Sequence, residues 1–232
     1  MQARSLLLLL ALTGLGSLAC SSAPEPPEAR RASIREALER AVAEAPRLHR
    51  SEVLAEGQVL QAEAPPDWIL EPDARPYRLF VFRLPARSPL PEGALPGSGD
   101  AELVVDWFGP GAGGSVEENL RAWAASIEPP EGDGWRAADL GTVGAPGSLL
   151  TRLQVDGRFL GEPVLPRPRL PAPEEGGETP PEERSAWSLD AGVLETPLGS
   201  FFVRAVGPRE ALRRHRGDLD RFYGSLRLAG RP

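Results

Sequence analysis

The sequence predicts an α+β fold, an antiparallel β-sheet with α-helices packed on both faces. Three stretches carry that expectation. The first is Glu102–Phe108, followed by a turn over Gly109–Gly114 and a helix from Ser115. Its strand is rich in β-branched and aromatic residues, which suit a pleated, half-buried surface. Leu103, Val105 and Trp107 alternate with Val104 and Phe108. Both faces are therefore apolar, as in a central strand covered on each side. The second stretch is Tyr77–Leu84, a strand that reaches the first through the Pro/Gly-rich connection 85–99. With no helix between them, the two strands should pair antiparallel. The third is a hairpin, Ser185–Glu195 and Ser200–Val206 around Thr196-Pro197-Leu198-Gly199, leading into a final helix.

From the start of the chain, Met1–Ala19 reads as a secretory signal: Arg4, an apolar run Leu6–Leu12, then small residues before Cys20. The run is too short for a stable membrane-spanning helix. Residues 20–32 read as a tether, because Ser21–Ala29 is proline-rich and acidic and should stay extended. Ser33 and Glu36 form a capping-box pattern that opens an amphipathic helix over residues 33–46. Ile34, Leu38, Ala41, Val42 and Ala45 make its apolar stripe, and Pro46 ends it.

Residues 47–228 read as a single α+β domain. Val53–Ala62 is an expected first strand interrupted by Gly57, and His49 before it an expected solvated loop residue. Trp68, in a proline turn, is read as a lid on the core. Ser115 and Glu118 form a second capping box. Val116, Leu120, Trp123, Ala124 and Ile127 follow at helical spacing, with Pro129-Pro130 as the stop. Residues 131–147 read as turn-rich, with Trp135 covering an end of the core. Gly147–Asp156 is an expected strand, and Asp156-Gly157 an expected hairpin turn returning through Arg158–Leu165. Residues 166–184 are proline-rich and acidic and read as a disordered insertion. In the last helix Leu212, His215, Leu219, Phe222 and Leu226 share one face, with Gly217 interrupting the helix-forming residues.

Composition excludes several chemistries. The formal net charge is −7 and every basic residue is arginine. That balance argues against nucleic acid as partner. One cysteine permits no internal disulfide, and His49 and His215 have no metal-ligand spacing. No cofactor is implied. The Gly109–Gly114 turn before Ser115 partly matches a phosphate-binding loop. The lysine is missing, however, and Glu117 and Glu118 would repel an anion at the helix start. His215 has no recognisable catalytic partner. Asp106, Glu117 and Glu118 are the carboxylates a hydrolase reading would need to bring together. No catalytic residue is assigned.

Two resemblances add to this reading. Ser17-Leu18-Ala19-Cys20 resembles the lipobox of bacterial lipoproteins, with Ser17 where leucine is preferred. It implies acylation of Cys20 and anchoring in an envelope membrane. Ser21 in the following position leans towards the outer membrane, facing the periplasm. The passages ELVVDWFGPGAGGSVEENLRAW, VLETPLGSFFVRAVGP and FYGSL resemble a group of uncharacterised envelope lipoproteins of planctomycete and myxobacterial type. The later strand-helix passage is similar to the PsbP-like fold, an antiparallel sheet between helices. Together they imply a non-enzymatic, membrane-anchored binding or accessory module with an envelope protein as partner. The resemblance carries no catalytic residue and no ligand site.

Overall fold

The computed structural model describes residues 27–52, 54–73, 75–87, 89, 97–145, 147–162, 164 and 186–230. The expected signal Met1–Ala19, Cys20, the first part of the tether and the insertion 166–184 lie outside the described residues. The chain divides into two compact units, Met1–Ala43 and Glu44–Pro232. The first is represented by α1 (Pro27–Glu44). This helix starts ahead of Ser33, so the residues from Pro27 assigned to the tether are helical, and the Ser33 capping box is not its start. A proline suits a first helical turn, whose N–H groups have no partner within the helix. Ile34, Leu38 and Val42 are exposed on α1, and Arg40 donates to Glu36 at 2.9 Å.

The second unit contains β1 (Arg47–Arg50), β2 (Gln58–Ala64), β3 (Ile69–Leu70), β4 (Arg78–Leu84) and β5 (Ala101–Trp107). These are followed by α2 (Val116–Ala124), β6 (Ile127–Glu128), α3 (Gly134–Ala137), β7 (Asp139–Ala145) and β8 (Ser148–Phe159). The unit ends with β9 (Trp187–Thr196), β10 (Gly199–Pro208), α4 (Arg209–Ser225) and β11 (Arg227–Gly230). An eight-stranded sheet runs β3-β4-β5-β10-β9-β8, with β6 and β7 both paired to β8. A three-stranded sheet runs β1-β2-β11. Every pairing is antiparallel. The fold is α+β with an antiparallel sheet, as the alternating apolar strands predict.

Strand alternation sorts the core into two clusters. Phe80, Phe82, Leu103, Val105, Phe201 and Val203 point to the side where α4 packs Leu212, Leu219, Phe222 and Tyr223. On the other side, Leu120 and Ala124 of α2 pack on Val155, Leu189, Val193 and Phe202. Burying each large apolar side chain contributes roughly 1.5–3 kcal/mol. β5 lies inside the sheet, and Val104 and Val105 are both buried. The helix on this second face, α2, rests mainly on β8 and β9. Trp107 is only partly buried, and its indole N–H donates to the Leu198 carbonyl at 3.1 Å.

The local signals succeeded where side chains and backbone agree. Ser115 and Glu118 form the capping box, each accepting from the other's backbone N–H. α2 nevertheless ends at Ala124, and Ile127 leaves the helix to pair with Phe159. Asp156-Gly157 does not turn, because β8 runs straight through it for 12 residues. A Cβ on Gly157 would stand 2.3 Å from the Glu128 carbonyl oxygen, so the glycine admits the backbone of β6. β7 occupies the expected turn-rich stretch, and β1 and β11 are strands too short and too polar to be expected. His49 lies on β1, half-buried, with its ring edge-on to Phe82 at 5.0 Å. It is not a solvated loop residue.

Candidate functional site

Trp68 and His215 are joined in the core. His215 is completely buried on the inner face of α4. Its Nδ1 accepts from the Trp68 indole N–H at 3.2 Å, and its Nε2 lies 2.9 Å from the Pro85 carbonyl oxygen. An indole only donates and a carbonyl only accepts, so the imidazole is neutral with its proton on Nε2. Burial is the largest influence and pushes its pKa down. Both ring nitrogens are engaged, which makes His215 a strut between α4 and the strand ends. Trp68 closes the core, as its size predicts.

Beside this strut lies a cleft of about 710 Å³. It is lined by Pro46, Glu63, Pro65, Asp67, Arg87, Asp218, Arg221, Ser225 and Arg227. Its charges form two groups, one around Arg87 and Asp218 and one joining Arg227 to Glu63. Arg87 donates to Asp67 through Nε at 2.9 Å and Nη2 at 3.0 Å, and pairs with Asp218 at 2.5 Å. Asp218 is also bonded by Arg221, and Arg227 pairs with Glu63 at 3.3 Å. Burial works against the Arg87 charge, but its bonds to Asp67 and Asp218 prevail and its pKa is raised. Ser225 Oγ donates to the Phe222 carbonyl at 2.7 Å and accepts from the Glu63 N–H at 2.8 Å. Both contacts of the hydroxyl are to backbone groups, which tie the end of α4 to β2.

This arrangement was not legible in the sequence. It joins a loop before β3, a loop after β4, and the far end of α4. Asp67 is separated from Arg87 by 20 positions and Arg87 from Arg214, whose carbonyl Arg87 also meets, by 127. The one local hint was arginine and aspartate at i,i+3 on the last helix, Asp218 and Arg221.

The carboxylates singled out in the sequence do not converge. Asp106 lies on the sheet and binds Arg78 through Nε at 2.6 Å and Nη2 at 3.2 Å. Burial raises its pKa, with Arg78 opposing. Glu118 is taken up by the Ser115 cap, which lowers its pKa, and Glu117 pairs with Arg121 on the exposed face of α2. In the glycine turn, Gly109, Gly111, Gly113 and Gly114 have positive φ. A Cβ on Gly113 would also stand 2.4 Å from the Phe202 ring. Backbone conformation and packing account for that turn as a connection. Trp135 packs on the α2-side core under the Arg121 guanidinium, 4.3 Å from its ring centre.

A second buried ionic group binds α4 to the sheet. Arg152 on β8 donates to Asp190 on β9 through Nε at 2.7 Å and Nη2 at 2.5 Å, and to Asp220 through Nη1 at 2.5 Å. Gln154 adds a bond to Asp190 at 2.7 Å, and the Tyr223 hydroxyl donates to the Asp190 carbonyl at 3.0 Å. Burial raises the Tyr223 pKa and keeps the hydroxyl protonated.

Among the described residues no cluster of His, Cys, Asp and Glu could hold a metal ion. Among them, too, no helix is long and apolar enough to cross a membrane. No protein-family model matches the chain, and no curated protein matches it either.

Proposed function

We propose that this chain is a lipid-anchored accessory protein of a bacterial envelope, held to its membrane through Cys20. Its cleft beside α4 receives a segment of an envelope protein. The observation that carries the binding half is the state of the cleft. Asp67, Asp218 and Glu63 are each held by an arginine, and the imidazole beside them is neutral and fully bonded. These side chains are committed to pairs within the fold. A rim that alternates both signs of charge offers complementary contacts to a polypeptide, which carries both signs itself.

The anchoring half rests on the sequence. Arg4, the apolar run to Leu12 and the small residues before Cys20 support a lipoprotein signal. Several acyl chains on Cys20 would supply the stable attachment that one chain does not. The layering of α4, sheet and α2 supports a PsbP-like arrangement, the finer form of the observed α+β class. Docking on a membrane complex, as PsbP-type subunits do, is the specific version of this reading.

The test uses the full chain in a bacterial host fed labelled palmitate. Label that is incorporated and then lost with Cys20→Ala, together with release from the membrane fraction, is the expected result. An unlabelled chain, or unchanged localisation of Cys20→Ala, refutes the anchor. For the cleft, Arg221→Ala should lower recovery of a specific membrane partner by crosslinking while leaving the melting temperature within a few degrees. Arg221 is exposed, and its buried partner Asp218 keeps the pair with Arg87 when Arg221 is truncated. Unchanged recovery refutes the cleft as the docking site.

A further inference from the structure

The two edges of the main sheet are treated differently. At one edge β3 has two residues, and Glu71 beside it pairs with Arg83 of β4 at 2.8 Å. A short, charged edge resists pairing with other chains. At the other edge β7 is seven residues long and pairs with β8 in unbroken register from Asp139↔Gln154 to Ala145↔Ser148. Among the described residues no strand pairs with its outer side. Asp139, Leu140, Gly141, Thr142 and Gly144 are exposed. β7 has one charge, at its end. Among the described residues β7 itself carries no proline, bulge or central charge of the kind that protects an edge.

Among the described residues nothing packs against its two glycines. Neither has positive φ, and a Cβ on Gly141 or Gly144 would meet nothing within 4 Å. Glycine in a strand loses stability through backbone entropy and offers no side chain to pack. Such a residue marks a place where something else comes close.

We infer that β7 is a self-complementary edge, on which a second copy of this chain pairs antiparallel about a two-fold axis through Thr142. That register sets Leu140 opposite the partner's Gly144 and Val143 opposite the partner's Gly141, so each bulky residue faces a glycine. Thr142 faces its own copy, and Asp139 faces the partner's Ala145, which keeps the two acids apart. Leu149, directly across from Gly144 on β8, is exposed like Leu140. The partner's Leu140 therefore reaches over Gly144 towards Leu149 and covers both leucines. Other symmetric registers leave part of β7 unpaired or oppose the bulky residues to each other. Seven residues per copy is a small contact, below the roughly 1,000 Å² that marks a stable interface, so the dimer is reversible. The inference does not depend on the anchor or on the cleft.

The experiment uses the full chain carrying Cys20→Ser, with single cysteines added at exposed β7 positions. Cα atoms directly opposite in an antiparallel pair are about 4.5–5.5 Å apart, within disulfide reach. Thr142→Cys should give a disulfide-linked dimer under mild oxidation. Leu140→Cys alone should crosslink at least tenfold more slowly, because its copies are staggered by several residues. A mixture of Leu140→Cys and Gly144→Cys chains should give the mixed dimer. Thr142→Cys chains that stay monomeric, or that crosslink no faster than Leu140→Cys chains, overturn the inference and leave the edge to a strand of another protein. Sedimentation of the Cys20→Ser chain supplies a check without disulfides: it should show concentration-dependent dimer that Gly144→Glu removes. Dimer unaffected by Gly144→Glu places the contact elsewhere and also overturns it.

Discussion

Replacing Arg152 by alanine tests whether the ionic group under α4 holds the helix to the sheet. The Arg152 and Asp190 side chains retain 11% and 5% of their exposure, and the guanidinium meets Asp190 at two points. Removing it leaves a carboxylate inside the protein with the Gln154 amide as its remaining side-chain donor. Breaking one partner of such a pair costs about 3–5 kcal/mol, mostly for the uncompensated charge left behind. The guanidinium also lies 4.8 Å from the Tyr223 ring centre, so packing is lost with the charge. In urea, with a slope of about 2 kcal/mol per molar, the unfolding midpoint should fall by roughly 1.5–2.5 M. The control is Asp220→Ala. Asp220 touches the same guanidinium but is 52% exposed, so its loss should cost less than about 1 kcal/mol. Both variants are measured by urea unfolding followed through tryptophan fluorescence and circular dichroism. If Arg152→Ala falls within 1 kcal/mol of Asp220→Ala, the group is ornamental and the reasoning fails.

Three further outcomes follow from the same structure. Gly217 is exposed in the middle of α4, and a Cβ there would meet only the Arg221 side chain at 4.0 Å. Gly217→Ala should therefore stabilise by about 1 kcal/mol in thermal or urea unfolding. Gly157→Ala should destabilise by about 1–3 kcal/mol, because the methyl group collides with the Glu128 carbonyl and pushes β6 away. A neutral result would restore the turn reading of Asp156-Gly157. His215 and His49 both have pKa values lowered by burial, His49 also by Arg47. As pH falls below the ordinary histidine value of 6.5, the unfolded chain takes up these protons before the folded one. Stability is thus full above that pH and declines below it, with each histidine contributing a slope of at most about 1.4 kcal/mol per pH unit. In His215→Phe that decline should be shallower, and an unchanged slope between pH 6.5 and 5 would show that His215 is not held neutral.

Gly157 and His215 show where sequence reasoning stopped. Asp-Gly is a strong local turn signal, yet the same glycine serves a backbone from another strand, which no local pattern reports. His215 was readable as a packed helix residue. That its ring is fixed by Trp68 and Pro85 depends on residues 147 and 130 positions away. The glycines of β7 suggested turns because glycine is a turn residue, and only the paired register exposes them as an open edge. Apart from the local pair Asp218–Arg221, the cleft was invisible because its ion pairs join residues far apart in the chain that only the fold brings together.

By itself the sequence determined the α+β class, the inner position of β5, the Ser115–Glu118 cap and the buried face of α4. These depend on side-chain periodicity and on contacts a few residues apart, which the order of residues states directly. Tertiary structure decided which strand lies beside which, where α2 rests, which glycines are needed for close approach, and how Arg87, Asp67 and Asp218 meet. Those outcomes depend on packing between segments far apart in the chain, where many pairings satisfy the same local pattern and only the filled core selects one.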